Sequence, residues 1–205
     1  MKQRILFLLS LLAATAVCSS AAAQKSEIRV GYGLMSSNSL LKKESAYIGD
    51  MNLTTSGTST PTSSGALYAS YRIRILPMVR LGASFGYEQV KKDYVMTTPE
   101  SAVRNFSGNN KYLTFAADLQ FRYFQLPAGI LSLYWGASLG VGIHKQTLTP
   151  GPADPDPTPV KGRDTRVAYQ VTPLGLTVGV KNFGAFGEVG FGYKGIFQLG
   201  VYARF

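Results

Sequence analysis

The chain has 205 residues, a single cysteine and a formal net charge of +10. One cysteine excludes a disulfide framework, and the length fits one domain behind a leader. A basic balance points to an anionic partner, and nucleic acid would be the first choice. The opening residues rule that choice out.

Lys2 and Arg4 precede an apolar run from Ile5 to Val17, and Ser19-Ser20-Ala21-Ala22-Ala23-Gln24 follows. A basic start, a short apolar stretch and small residues before a cut describe a secretory leader covering 1–23, with cleavage after Ala23. The run is too short to span a bilayer. Cys18 fits a lipidation site poorly, because Thr15-Ala16-Val17 lacks the residues that usually precede a lipidated cysteine. It leaves with the leader, so the mature domain, 24–205, has no cysteine. For an exported chain, anionic lipid headgroups or sugars replace nucleic acid as the expected partners.

The mature chain alternates. Ile28, Val30, Tyr32 and Leu34 are apolar, with Arg29, Gly31 and Gly33 between them. After a long connection over about 36–64, the same period returns in Leu67, Ala69, Tyr71, Ile73 and Ile75 against Tyr68, Ser70, Arg72 and Arg74. A tight Leu76-Pro77 leads to Leu81, Ala83, Phe85 and Tyr87, set against Gly82, Ser84, Gly86 and Glu88. A loop is expected near 91–110. Then KYLTFAADLQFRYF (111–124) puts Leu113, Phe115, Ala117, Leu119, Phe121 and Tyr123 on one face and Asp118, Gln120 and Arg122 on the other. Period two is a strand with two unlike faces, and this one is long enough to cross a membrane at a tilt.

Residues 123–143 carry no charge and imitate a membrane helix. Small and polar residues at every second position, and a Leu126-Pro127-Ala128-Gly129 turn, argue instead for a hairpin. Its second strand runs through Leu131, Leu133, Trp135, Ala137, Leu139, Val141 and Ile143. A second loop is expected at about 147–165. The next strand changes phase, from odd Val167, Tyr169 and Val171 to even Leu174, Leu176 and Val178, which predicts a bulge at Thr172-Pro173. Ala185 to Tyr193 and Phe197 to Phe205 complete eight strands. Short connections follow the even strands and most long ones the odd strands, as in outer-membrane barrels.

The two faces set the orientation. A glycine-rich face bearing Arg29, Arg72, Arg74, Arg80, Glu88, Asp118, Arg122, Glu188 and Arg204 suits a crowded centre; the face of Leu, Val, Phe, Tyr and Trp suits lipid. The expected fold is all-β: an eight-stranded antiparallel up-and-down transmembrane β-barrel. Its last strand ends in GVYARF, where Tyr202 and Phe205 resemble the signal read by the barrel assembly machinery during insertion. Together with YQVTPLGLTVGV (169–180) and GAFGEVGFGYKG (184–195), this resembles the small outer-membrane β-barrel domain proteins of Bacteroides-type bacteria, a kind similar to OmpA and OmpX barrels. The resemblance implies fold and location, and no substrate.

Buried charges need partners. Asp118 and Glu188 are therefore expected to pair with Arg72, Arg122 or Arg204 in a lumenal network. That network either plugs and stiffens the barrel or gates an ion path. His144, the only histidine, faces inward with no carboxylate placed to orient it, so no catalytic residue, cofactor or metal site is expected. The TTSGTSTPTSSG (54–65) and TPGPADPDPTPVKG (149–162) stretches read as solvated outer loops. Asn105-Phe106-Ser107 matches a glycosylation acceptor by chance. The expected protein is a non-catalytic monomer of the bacterial outer membrane with its N-terminus periplasmic and a filled lumen. It contacts outer-membrane lipids and lipopolysaccharide and has a structural or adhesive role through its loops. A part in a secretion apparatus is the alternative, and lipid A modification is a weaker one.

Overall fold

The computed structural model describes residues 26–40, 46–48, 51–55, 62–97, 103–126, 130–151, 159–180 and 182–205. The expected leader lies outside these residues, as do 56–61 of the 54–65 stretch, residues 152–158 of the Pro-rich stretch and the 127–129 turn.

Eight strands form the wall: β1 (Ser26–Leu34), β2 (Ala66–Arg74), β3 (Val79–Thr97), β4 (Val103–Gln125), β5 (Leu131–Pro150), β6 (Val160–Gly179), β7 (Phe183–Gly192) and β8 (Phe197–Arg204). Each pairs antiparallel with its neighbour in sequence. The ring closes where β1 pairs with β8, from Glu27↔Arg204 to Leu34↔Phe197. Backbone bonds in both directions between Ser26 and Phe205, each 3.1 Å, fasten the last residue to the first strand. Over the height shared by all eight strands, closure leaves no unpaired edge, which is what a β-structure needs in hydrocarbon. Short strands at Ala46–Ile48, Met51–Thr55 and Thr62–Ser63 add to the sheet beside the upper part of β3.

The side chains divide as the alternation predicts. Val30, Leu67, Phe85, Phe115, Trp135, Leu139, Val171, Phe183, Leu199 and Val201 all stand exposed on the outer wall. Arg29, Tyr68, Arg72, Asp118, Tyr134, Gln170, Glu188 and Gln198 are buried inside it. An apolar belt of this extent is not tolerated in water, and it matches the outer surface of a membrane barrel. The chain is a membrane-spanning β-barrel of the outer-membrane type.

The bulge falls where the phase slip put it. Val189 pairs with Leu174 and Phe191 with Val171, so β6 spends one extra residue across Thr172-Pro173. On its other side Tyr134 pairs with Gly175 and Gly136 with Thr172. A second bulge, unforeseen, lies at Tyr123: Arg122 pairs with Tyr134 and Phe124 with Leu133. It turns both Tyr123 and Phe124 outward.

The expected loops at 91–110 and 147–165 are a correction. Most of both is strand, since β3 and β4 stay paired from Lys91↔Asn109 to Thr97↔Val103, and β5 and β6 from Thr147↔Lys161 to Leu148↔Val160. Polar outer residues hid the pattern, but inward Val90, Phe106 and Leu148 keep the period and are buried. The wall is therefore tall along β3–β6, whose strands have 19–23 residues, and low along β1, β2, β7 and β8, with 8–10.

At the low side, β7 and β8 are joined by a tight turn. Gly192 has φ +143° and Gly195 φ +107°, backbone states that L side chains rarely adopt. A Cβ on Gly195 would also run into the Leu34 carbonyl. This turn directs Lys194 into the lumen, where it is 1% exposed.

Candidate functional site: the lumen and its mouth

Charges fill the centre in three linked groups. At the end where β1 begins and β8 finishes, the Glu27 carboxylate receives Arg29 Nε, Arg80 Nη1 (2.7 Å) and Arg204 Nε (2.7 Å). Parity along β1 places Glu27 and Arg29 inside together, and the β1–β8 register brings Arg204 directly across from Glu27. The Arg204 guanidinium also lies 4.1 Å from the Tyr202 ring centroid.

Arg29 links this group to the next. Its Nη1 reaches Glu188 (3.0 Å) and the Tyr134 hydroxyl (2.7 Å), and its Nη2 reaches Gln120 (3.3 Å). The guanidinium lies between the Tyr134 and Phe186 rings, 4.9 Å from each centroid. Tyr134 in turn donates to Glu188 (2.6 Å). The Tyr134 ring fits over Gly175 of the bulged strand, where a Cβ would come within 2.2 Å of it.

The third group centres on Asp118. Lys194 Nζ lies 3.0 Å from its Oδ1, and Arg72 Nη2 lies 3.4 Å from Oδ2. Ser84 donates to the same carboxylate (2.9 Å) and meets the Tyr193 hydroxyl at 2.6 Å, while Lys194 also reaches Ser138 (3.2 Å). Arg72 Nη1 donates to Gln120 (3.0 Å), which joins this group to Arg29. Every ion pair here is nearly dry, so each charge depends on its partner.

Of the residues singled out from sequence, Arg72 and Asp118 meet each other. Glu188 is held by Arg29 and Tyr134, not by Arg72, Arg122 or Arg204. Arg204 goes to Glu27. Arg122, half-buried beside the β2–β3 turn, gives its Nη2 to the Pro77 carbonyl. Sequence alone does not reveal Glu27, because the alternation first shows at Ile28, two residues after the strand begins, or Lys194, because it sits in a turn. Arg29 and Arg80 were placed inward without partners.

The mouth is closed differently. After β1 the chain folds inward through Met35, whose φ is +57°, into a single helical turn, α1 (Ser37–Leu40). Glu88 on β3 anchors it. Its carboxylate accepts Ser36 Oγ (2.6 Å), Asn38 Nδ2 (3.0 Å) and Ser63 Oγ (2.6 Å). Lys92 donates to the Asn38 carbonyl (3.2 Å). Beside this turn lies a cleft of about 110 Å³ lined by Ser37, Asn38, Tyr112, His144, Arg166 and Tyr193.

His144 stacks on Tyr112, with centroids 4.5 Å apart and planes within 3°, and its Nε2 meets Asn110 Oδ1 at 3.0 Å. The register also sets Asp164 across from His144, which sequence reasoning did not foresee. Arg166 Nε bonds that carboxylate at 2.7 Å and holds its pKa below the ordinary value, with the Thr165 amide adding to the effect. Among the described residues, no group of three or more His, Cys, Asp or Glu side chains is arranged to hold a metal.

No protein-family model matches this sequence, and no curated protein does. Solved structures similar to it are outer-membrane barrels. The N-terminal β-barrel domain of Pseudomonas aeruginosa OprF is 16% identical, with 90% of this chain and 100% of that one covered and a TM-score of 0.45. Ail, the attachment invasion locus protein of Yersinia pestis, is 18% identical over 89% and 96%, also at 0.45. The translocator domain of the Neisseria meningitidis autotransporter NalP is 13% identical over 99% and 96%, at 0.28. These values add nothing to the architecture that the chain's own strand pairing establishes.

Proposed function

We propose that this protein is a non-catalytic resident of the bacterial outer membrane that acts through its outer wall and loops, in a structural or adhesive role, and conducts nothing through its centre. Its assignment to the Bacteroides-type small barrel proteins rests on residues 169–205. The observation that carries the functional reading is the obstruction of the lumen. The Glu27, Glu188 and Asp118 groups interlock through Arg29, Gln120 and Arg72, and the Ser36–Leu40 turn is pinned in the mouth by Glu88. A barrel of eight strands has room inside for side chains and little else.

In this reading the termini face the periplasm and the tall β3–β6 wall faces outward, where solvated strands present a binding surface. The monomer suffices, since the ring closes on itself. Tyr202 and Phe205 act in assembly, at the strand that closes the ring. Planar-bilayer recording on the mature protein tests the reading, together with adhesion of cells displaying it. Background conductance and a gain in attachment to host-type matrices are expected. Stable porin-sized current steps would overturn it.

A further inference from the structure

We propose that the outer wall carries a binding site for a phosphorylated lipid headgroup of the surrounding leaflet, formed by Lys111, Lys145 and Arg163. The proposal rests on the outer-membrane reading above. The register places Lys111 across from Lys145 and Lys145 across from Arg163, so three cations stand side by side on β4, β5 and β6. Gln89 on β3 continues the row beside Lys111. All three cations are exposed.

Like charges directly opposite on neighbouring strands oppose pairing, and an anion seated over them reverses the effect. The next row on the open side adds Lys91 and Lys161, with Asn109 and Thr147 between them. Among the described residues of this outward patch, Asp93 is the one carboxylate, and Asp164 is occupied by Arg166.

Position selects the ligand. One row toward the membrane, the same strands present Tyr87, Leu113, Ile143 and Thr165. Apolar wall therefore gives way to cations in a single step, at the edge of the belt. That is where a lipid's acyl chains lie against the barrel and its headgroup phosphates reach the row. The lysine stems can lie along the belt while their ammonium groups stay wet, and Arg163 offers a planar fork suited to phosphate. Among the described residues the other half of the barrel shows no counterpart: β1, β2, β7 and β8 end outwardly in Leu34, Leu67, Phe191 and Phe197.

The test uses the mature chain folded into phosphatidylcholine nanodiscs doped with lipid A or with phosphatase-stripped lipid A. After gentle detergent extraction, retained lipid is measured by mass spectrometry. The wild type is expected to retain the phosphorylated form about tenfold over the stripped form. Lys111→Gln/Lys145→Gln/Arg163→Gln should lose that preference while keeping the gel mobility of a folded barrel. If the triple variant does not fold, Lys145→Gln alone should reduce the preference.

Equal retention of both lipids by the wild type, or an undiminished preference in a folded variant, overturns the site. So does release of the lipid by inorganic phosphate at equimolar concentration, which would mark an ion site indifferent to acyl chains. Failure of the wild type to insert at all refutes the barrel reading instead, and its gel mobility tells the two apart.

Discussion

Replacing Glu27 by glutamine keeps the side chain's shape and removes one charge from the most crowded junction in the lumen. Three guanidiniums converge on this carboxylate, which is 1% exposed. They are not equally affected. Arg29 retains Glu188 at 3.0 Å, whereas Arg80 and Arg204 both pair with Glu27. Breaking a buried pair by neutralising one member costs about 3–5 kcal/mol, because the other charge is left dry and unmatched. Two arginines are stranded here, but both lie near the open end, and Arg204 keeps its stacking on Tyr202. Those differences hold the expectation to about 3–5 kcal/mol rather than double it. Glu188→Gln is the internal comparison. It leaves Arg29 with Glu27, and the bonds that Arg29 and Tyr134 give to residue 188 lose their charge assistance, a cost of about 1.5–3 kcal/mol. Equilibrium denaturant unfolding from lipid vesicles measures both, with Trp135 on the lipid-facing wall as the fluorescent reporter. Glu27→Gln must be the more damaging, and adding Arg80→Gln to it should restore part of the loss. A cost for Glu27→Gln equal to or below that of Glu188→Gln refutes the reasoning that the junction depends on this carboxylate.

Gly175→Ala should destabilise the barrel by about 1–3 kcal/mol in the same assay, because the new methyl displaces the Tyr134 ring and with it the bonds to Arg29 and Glu188. Glu88→Ala should release the Ser36–Leu40 turn, seen as new protease cleavage near residues 36–40, while the unfolding midpoint moves less than for Glu27→Gln. Deleting Phe205 removes the bonds to Ser26 at the seam; it should lower the amount of folded barrel in cells, while the purified chain still folds in detergent micelles.

The fold was legible because one rule, alternation, is enforced twice: lipid rejects charge outside, and a narrow lumen rejects bulk inside. Even the Thr172-Pro173 bulge showed as a change of phase. The second bulge did not show, because Tyr123 and Phe124 are both aromatic, so no polar residue marks the slip. The upper strands resemble loops in sequence because, beyond the belt, the outward residues are mostly polar, such as Lys, Asn and Thr. Their inward partners Val90, Phe106 and Leu148 kept the signal at half strength. The residues of the lumen were legible as a set and not as pairs. Which carboxylate meets which arginine depends on the stagger between strands that are distant in sequence. Glu27 and Arg204, for example, face each other only because the first and last strands join in one register.

That seam explains why the lumen has its heaviest charge where the ring closes. Strands β1 and β8 are short, and Gly31 faces Gly200, so side-chain contact between them is sparse there. Both glycines are required by their neighbours: a Cβ on either would strike the Phe186 ring, and one on Gly31 would strike Tyr68 as well. The backbone ladder at the seam is thus supplemented from within. Glu27 on β1 ties Arg204 on β8 and Arg80 on β3, while Arg29 on β1 ties Glu188 on β7. The contacts span four different strands, and Glu27–Arg204 and Arg29–Glu188 cross the seam, so these two cannot form until the first and last strands have met. The ion-pair group therefore stabilises the closed ring over any open sheet, so substitutions at Glu27 should slow the final closure step more than the membrane adsorption that precedes it. Time-resolved folding into vesicles, followed by Trp135 fluorescence for adsorption and by gel mobility for closure, separates the two steps; equal slowing of both would contradict this account.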